Sequence, residues 1–316
     1  MSEFYLVINI LLTHARTLIV ISGTNPIFNM FSLGFLKNKV DFKWLLFGYD
    51  IFPENLIPGG VVSSSNCIYK ISKVIFSRLY SSPDEIVAVG RDMKNLLLKK
   101  TNNRLPIHYI PNWSDHNDTF PVSLSEVSTE STKVTFQFFG NIGRLQDVDN
   151  ILKAIPLVKS KNAFFSFVGG GGEVEKVINF INNQNDHRVV YKGPCPIYQK
   201  NETLSLCNVA LVSLKPEMYG LAVPSKSYFS LAANKPLLVV GDSGSELRTL
   251  VNEYNLGWEC DAGSPAKLAN LIDEICASWS ELSQIEVRDV MINNFSESRP
   301  LQDIHKVISQ LGISKR

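Results

Sequence analysis

Apolar residues in this chain fall into short unbroken runs. Between the runs lie stretches in which apolar residues return every three or four positions. That alternation is the signature of strand followed by helix, repeated. In the second half the runs are residues 134–139, 164–168, 189–191, 209–213 and 237–240, and helical periods open near Asp147, Glu173, Thr203 and Ser225. A run such as 237–240 (LLVV) is apolar at every position, as suits a strand covered on both faces. The expectation is an α/β chain with parallel sheet and helices on either side. The first half keeps the same rhythm, with runs at 17–22, 42–47, 85–89 and 107–110 and helical stretches ending near Leu36 and spanning 67–80 and 92–100. In 67–80, Ile68, Ile71, Ile75 and Leu79 share a face, and Lys70, Lys73 and Arg78 decorate the rest. We read this as a helix packed by its aliphatic face, with a basic helix resting on anionic lipid as the alternative.

The rhythm breaks once. Residues 115–133 are rich in Ser, Thr, Asp and Glu and carry no apolar period, which marks a linker. The expected division is a first domain over 1–118, a linker over 119–133, a second domain over 134–290 and a helical segment over 291–316. With 316 residues, 45% of them hydrophobic, the chain can bury two cores. The net charge of +1 points away from nucleic acid. Five scattered cysteines without a Cys-x-x-Cys pair speak for a reducing, cytoplasmic setting and against a zinc site. The apolar stretch at 4–12, read as helical to residue 13, is shorter than the ~20 residues a spanning helix needs.

Several positions carry candidate chemistry. Pro224 and Ser225 are helix-start residues, and Lys226 follows in the first turn, where the helix dipole disfavours a cation. Something negative is therefore expected beside Lys226. Asn234 and Pro236 close that helix through a left-handed cap and a blocked continuation. Gly140-Asn141-Ile142-Gly143-Arg144 follows the first run of the second half. Its glycines allow close backbone approach to a ligand, and Arg144 is placed to pair with a phosphate. Gly169 to Gly172 also follows a strand, but its uniformity reads as a flexible turn. Asp147 and Asp149 have the spacing of a metal-binding pair, yet acids also suit the first turn of a helix, so no metal site is expected. Ser243 and Glu246 fit a capping box, which competes with a ligand role for Glu246. Asp50 and Glu54 flank Pro53 in a loop after a strand, a usual place for functional groups. No Gly-x-Ser-x-Gly elbow occurs, so a serine hydrolase is not indicated.

Taken as a set, these motifs resemble the glycosyltransferases of family 4. The carriers are Asp50-Ile51-Phe52-Pro53-Glu54, Ile110-Pro111-Asn112-Trp113, Gly140-Asn141-Ile142-Gly143, Val223-Pro224-Ser225-Lys226, Ala232-Ala233-Asn234-Lys235-Pro236 and Gly244-Ser245-Glu246-Leu247, in the family's order. The nearest subgroup is the bacterial O-antigen and colanic-acid type acting on sugars such as N-acetylfucosamine. The resemblance implies the GT-B fold of two facing Rossmann-like domains. It also implies retaining, metal-independent transfer from a UDP-linked N-acetylated deoxyhexose to a lipid-linked oligosaccharide, in surface polysaccharide synthesis at the cytoplasmic face of a membrane. No cofactor beyond the nucleotide-sugar donor is implied.

On this reading Gly143, Arg144, Lys226 and the Tyr219–Gly220–Leu221 backbone meet the diphosphate, and Gly140, Glu217 and Ser225 also bind the donor. Glu246 holds a ribose hydroxyl, the strand edge ending at Gly193 meets the base, and Asp50 faces the acceptor and the transferred sugar. Asp50, Arg144 and Lys226 carry catalysis. Two departures stand out. Where the wider family has a pair of glutamates, this chain has Leu221 and Phe229, and Glu217 is the nearest acid, out of register. The first domain is also expected to be incomplete at its N-terminus, with about three or four strands. Two other readings keep the same residues: a non-catalytic nucleotide-binding remnant, and a nucleotide-sugar epimerase of the same fold.

Overall fold

The structure is a computed structural model that describes residues 18–121, 133–282 and 285–313. The expected helix at 4–13 and most of the expected linker lie outside the described residues. The chain forms two compact units. One takes the chain up to Pro111, together with Gly220–Val223 and the chain from Ser298; the other takes Asn112–Tyr219 and Pro224–Glu297.

The first unit opens with β1 (Ile19–Gly23), α1 (Phe28–Lys37), β2 (Lys43–Gly48), α2 (Cys67–Tyr80), β3 (Glu85–Ala88), α3 (Arg91–Lys100) and β4 (Ile107–Tyr109). Its sheet is β1-β2-β3-β4, parallel throughout. One expectation is reversed. Helix α2 buries Tyr69, Phe76 and Tyr80, while Ile68, Ile71 and Ile75 are exposed. The aromatic residues win the inner face because each offers more area and a specific partner. Phe76 meets Phe31 of α1 edge-to-face at 5.5 Å and stacks near Phe52 at 6.3 Å. The Tyr80 hydroxyl accepts from the Phe52 N–H and donates to the Asp50 carbonyl.

The second unit runs β5 (Val134–Phe139), α4 (Val148–Ala154), β6 (Ala163–Val168), α5 (Val174–Gln184), β7 (Val189–Tyr191), α6 (Lys200–Ser205), β8 (Val209–Ser213), α7 (Lys226–Ala232), β9 (Leu237–Gly241), α8 (Glu246–Tyr254), β10 (Gly257–Asp261), α9 (Pro265–Ala277), α10 (Trp279–Leu282) and α11 (Arg288–Phe295). All six strands are parallel, in the order β10-β9-β8-β5-β6-β7. The chain thus winds outward one way from β5 and the other way from β8. Loops after those two neighbouring strands diverge and leave a crevice at the strands' C-terminal ends, the usual ligand position in a doubly wound sheet. Strand β10 was not expected from the pattern. Its sequence GWECD mixes polar and apolar residues because it is an edge strand, only partly buried.

The core of this unit centres on paired aromatics of adjacent strands, Phe136 with Phe165 and Phe138 with Phe167, at 5.8 and 6.2 Å. Truncating any one of them to alanine would cost about 3–5 kcal/mol. Asn234 adopts the expected left-handed conformation after α7 (φ 58°). Its side-chain oxygen also accepts from the Val287 and Arg288 N–H groups and so starts α11. The last helix, α12 (Ser298–Ile313), places Ile304, Val307, Ile308 and Leu311 on the first unit's Leu45, Phe47, Val87 and Ile110. The C-terminal segment is therefore shared: α11 goes with the second unit and α12 with the first.

Candidate functional site

The turn after β5 is the centre of the second unit's candidate site. Gly140 holds a φ of 124°, and a side chain on Gly143 would meet Asn141 and Gln146 at 2.7 and 2.8 Å. The run Gly169 to Gly172 lies directly on this turn. The Ile142 N–H donates to the Gly170 carbonyl at 2.7 Å, and the Glu173 N–H to the Ile142 carbonyl at 2.9 Å. A Cβ on Gly169 would sit 1.8 Å from the Gly140 oxygen, and one on Gly171 would sit 2.4 Å from the Ile142 oxygen. The run is therefore not a flexible turn. Its glycines are what let two backbones touch. A third turn joins the stack, because the Gly169 N–H donates to the Gly193 carbonyl at 2.8 Å. Gly140, Gly143 and Gly193, far apart in sequence, thus line one backbone-walled crevice edge.

Lys226 is the first residue of α7 and lies against this turn. A Cβ on Gly140 would be 3.6 Å from Lys226 Cδ. The lysine is buried, and its Nζ has no hydrogen-bond partner. Nζ stands 3.3 Å from the centroid of the Phe138 ring, a cation–π contact. Burial without a counter-charge pushes its pKa down to about 7. Ser225 is at the cap position, but its side chain caps nothing; Ser227 Oγ instead donates to the Pro224 carbonyl. Arg144, in the same turn as Gly143, is exposed. A buried unpartnered amine beside side-chain-free backbone can receive an anion, the charge that neither the protein's own acids nor its hydroxyls supply here.

The loop after β8 is held by a residue that the sequence reading missed. The Glu217 and Tyr219 N–H groups donate to the two carboxylate oxygens of Asp242, at 3.2 and 2.9 Å. Glu217 itself is exposed in a left-handed conformation (φ 68°). The available signal was an acid directly after the apolar run of β9. Glu246 is buried and opens α8. The expected capping box is not formed, since the cap residue is Ser245 rather than Ser243 and no side chain caps the helix. Asp149 pairs with Lys176 at 2.6 Å, and Asp147 is a buried left-handed residue whose carboxyl is raised mainly by burial. Among the described residues no group of three or more His, Cys, Asp or Glu is placed to hold a metal ion.

Asp50 lies in the first unit, just beyond the C-terminal end of the inner strand β2. Thr24 Oγ1 accepts from the Tyr49 and Asp50 N–H groups, and Asn25 donates to the Asp50 carboxylate. Burial raises the Asp50 pKa, and the Asn25 bond offsets part of that. Glu54, its companion in the motif, is taken up by Lys100 at 2.7 Å. Gly220 and Leu221 group with Asp50. The Gly220 N–H donates to Asp92 at 3.1 Å, the Leu221 carbonyl accepts from Ile51 at 2.9 Å, and Ala222 bridges Asp50. Leu221 and Ala222 are thus engaged with this loop, and Gly220 with α3.

Residues 124–296 match the family described as "Glycosyl transferases group 1". A Pseudomonas aeruginosa protein described as "Probable glycosyltransferase WbjE" is 41% identical over 285 residues, covering 88% of this chain and 71% of that protein. Anabaena Alr3699/HepE, solved with UDP-glucose, superposes with a TM-score of 0.77 at 14% identity, over 96% of this chain and 82% of that one. Sucrose-phosphate synthase from Thermosynechococcus elongatus gives 0.76 at 14% identity, over 93% and 73%. The two-domain parallel α/β fold is that of GT-B transferases. The chain belongs to the group 1 glycosyl transferases.

Proposed function

From that membership we propose that the protein transfers an acetamido-deoxyhexose from its UDP-linked donor to a lipid-linked saccharide. The product is a growing surface polysaccharide of the O-antigen or capsule kind, made at the cytoplasmic face of a membrane. The observation that carries the reading is Lys226, a buried amine with no acid beside it, set against a glycine turn at the crevice between diverging loops. Diphosphate is the missing counter-charge. As the bond from the anomeric carbon to the donor phosphate breaks, negative charge grows on the leaving nucleoside diphosphate. Lys226 and Arg144 offset it, without a metal. The acceptor oxygen bonds to the same face of the sugar, so configuration is retained, and its proton goes to the departing phosphate oxygen. In this scheme Glu246 holds a ribose hydroxyl and the Gly193 edge meets the base. Asp50 faces the acceptor and the transferred sugar.

The test is calorimetry with UDP together with a transfer assay on EDTA-treated protein. The expected result is saturable UDP binding and undiminished transfer after EDTA. Absence of UDP binding would overturn the donor assignment, and loss of transfer reversed by added Mg²⁺ would overturn the metal-free route.

A further inference from the structure

Residues 214–225 join β8 to α7, so this loop ends at Lys226. Two backbone bonds fix where it starts. The Leu214 N–H donates to the Val240 carbonyl and the Lys215 N–H to the Leu145 carbonyl, both at 2.9 Å. The second bond ties the loop to the turn that carries Gly143 and Arg144. Pro216 then packs close to Gly263, where a Cβ would come within 3.0 Å of Pro216 Cγ. From there the chain folds around a carboxylate. Asp242 directly follows β9, the strand beside β8, and its two oxygens accept one bond each from the Glu217 and Tyr219 N–H groups.

The loop is held against its local preference. Glu217 has a φ of 68°, a left-handed conformation that a residue with a side chain keeps only where its surroundings enforce it. Tyr219 is 42% exposed, and a Cβ on Gly244 would lie 3.6 Å from Tyr219 Cε2. A carboxylate suits the clamping role because both of its oxygens accept. An asparagine amide would set a donor against one of the two N–H groups. Bonds to an ionised acceptor are also roughly twice as strong as neutral ones. The Gly220 N–H is likewise committed, to Asp92 at 3.1 Å. The Tyr219 and Gly220 N–H groups, expected from the sequence to face the diphosphate, thus donate to carboxylates of the protein itself.

We propose that Asp242 is a positioning residue for nucleotide binding. By clamping Glu217 and Tyr219 it holds the loop that leads to Lys226 in the form that accepts a nucleoside diphosphate. The proposal rests on the donor reading above. Without the clamp the loop samples other forms, and affinity falls with the fraction of molecules still in the competent one. The experiment compares the parent chain, Asp242→Asn and Asp242→Ala by calorimetry with UDP and by limited digestion with chymotrypsin. Both are run well below each protein's melting midpoint. UDP affinity should fall about five-fold in Asp242→Asn, which keeps one acceptor, and about thirty-fold in Asp242→Ala. Cleavage after Tyr219, giving fragments 1–219 and 220–316, should be about ten-fold faster in both variants than in the parent. Asp242→Asn keeps the test decisive should Asp242→Ala fail to fold. A purely structural role would lower the melting midpoint and leave UDP affinity unchanged, which overturns the proposal. Weaker UDP binding without faster cleavage would mean that Asp242 meets the nucleotide directly, and would overturn it too. Absence of UDP binding by the parent chain would overturn the donor reading and, with it, the functional half of the proposal. UDP binding that ignores both substitutions would overturn the proposal alone.

Discussion

Two buried lysines, one in each unit, meet the same kind of neighbour and differ in one respect. Lys100 ends α3 with its ammonium 5.2 Å from the centroid of Tyr80, and Glu54 binds it through both carboxylate oxygens at 2.7 Å. Lys226 opens α7 with its ammonium over Phe138 and no acid at all. Burial lowers both pKa values, but for Lys100 the Glu54 charge opposes the shift. Lys100 is thus a completed ion pair that anchors a loop. Lys226 has no such partner, and on the proposed reading a diphosphate supplies it. The lesson is that burial and an aromatic face are common to both lysines, and that the acid partner is what separates them.

The comparison can be broken in three ways. The largest effect should come from Lys100→Met, which strands Glu54 in a partly buried site. We expect a loss of about 3–5 kcal/mol in urea unfolding, mostly recovered by adding Glu54→Gln, with UDP affinity unchanged. A collapse of UDP affinity without loss of stability would make Lys100 the functional cation instead.

Lys226→Met should do the reverse. The unfolding midpoint should hold or rise, because an uncompensated buried amine is removed. Transfer should fall about a hundred-fold, equivalent to about 3 kcal/mol of barrier. Full activity in this variant would remove the diphosphate assignment.

The pH response should be the smallest effect and the most specific. Below pH about 7 the free protein already carries the charge on Lys226. Above that pH, binding a diphosphate must bring a proton with it, so UDP affinity should drop by up to about ten-fold per pH unit. Stability has the opposite sign. The unfolded lysine keeps its proton up to its ordinary pKa, so over that window the unfolded state binds more protons and this group makes the fold more stable as pH rises. Calorimetry at pH 8 in buffers of different ionisation heat should show proton uptake in the parent chain and none in Lys226→Met.

Much of the second unit was legible in the sequence. Strands β5, β7 and β8 have the expected limits, and Asn234 and Pro236 end α7 as read. Short unbroken apolar runs bounded by turn residues suit buried strands, and a left-handed cap has few candidate residues. The runs at β10 and the face of α2 were not legible, for a shared reason. An edge strand is half-wet and loses its apolar pattern. On a helix with two apolar faces, periodicity says that faces exist without saying which one meets the sheet. The Ser243–Glu246 capping box failed similarly, since the helix begins two residues later than that box requires.

By itself, then, the sequence determined the alternation of strand and helix, the two cores and the positions of Gly140, Arg144 and Lys226, because each follows from local pattern and residue chemistry. Only the tertiary structure decided that Lys226 has no partner, that the turns at Gly140, Gly169 and Gly193 stack, that Asp242 holds Glu217 and Tyr219, and that the isoleucines of α2 face outward. Those are facts about neighbours distant in the chain. Spacing along one segment carries no information about what a folded chain sets opposite it.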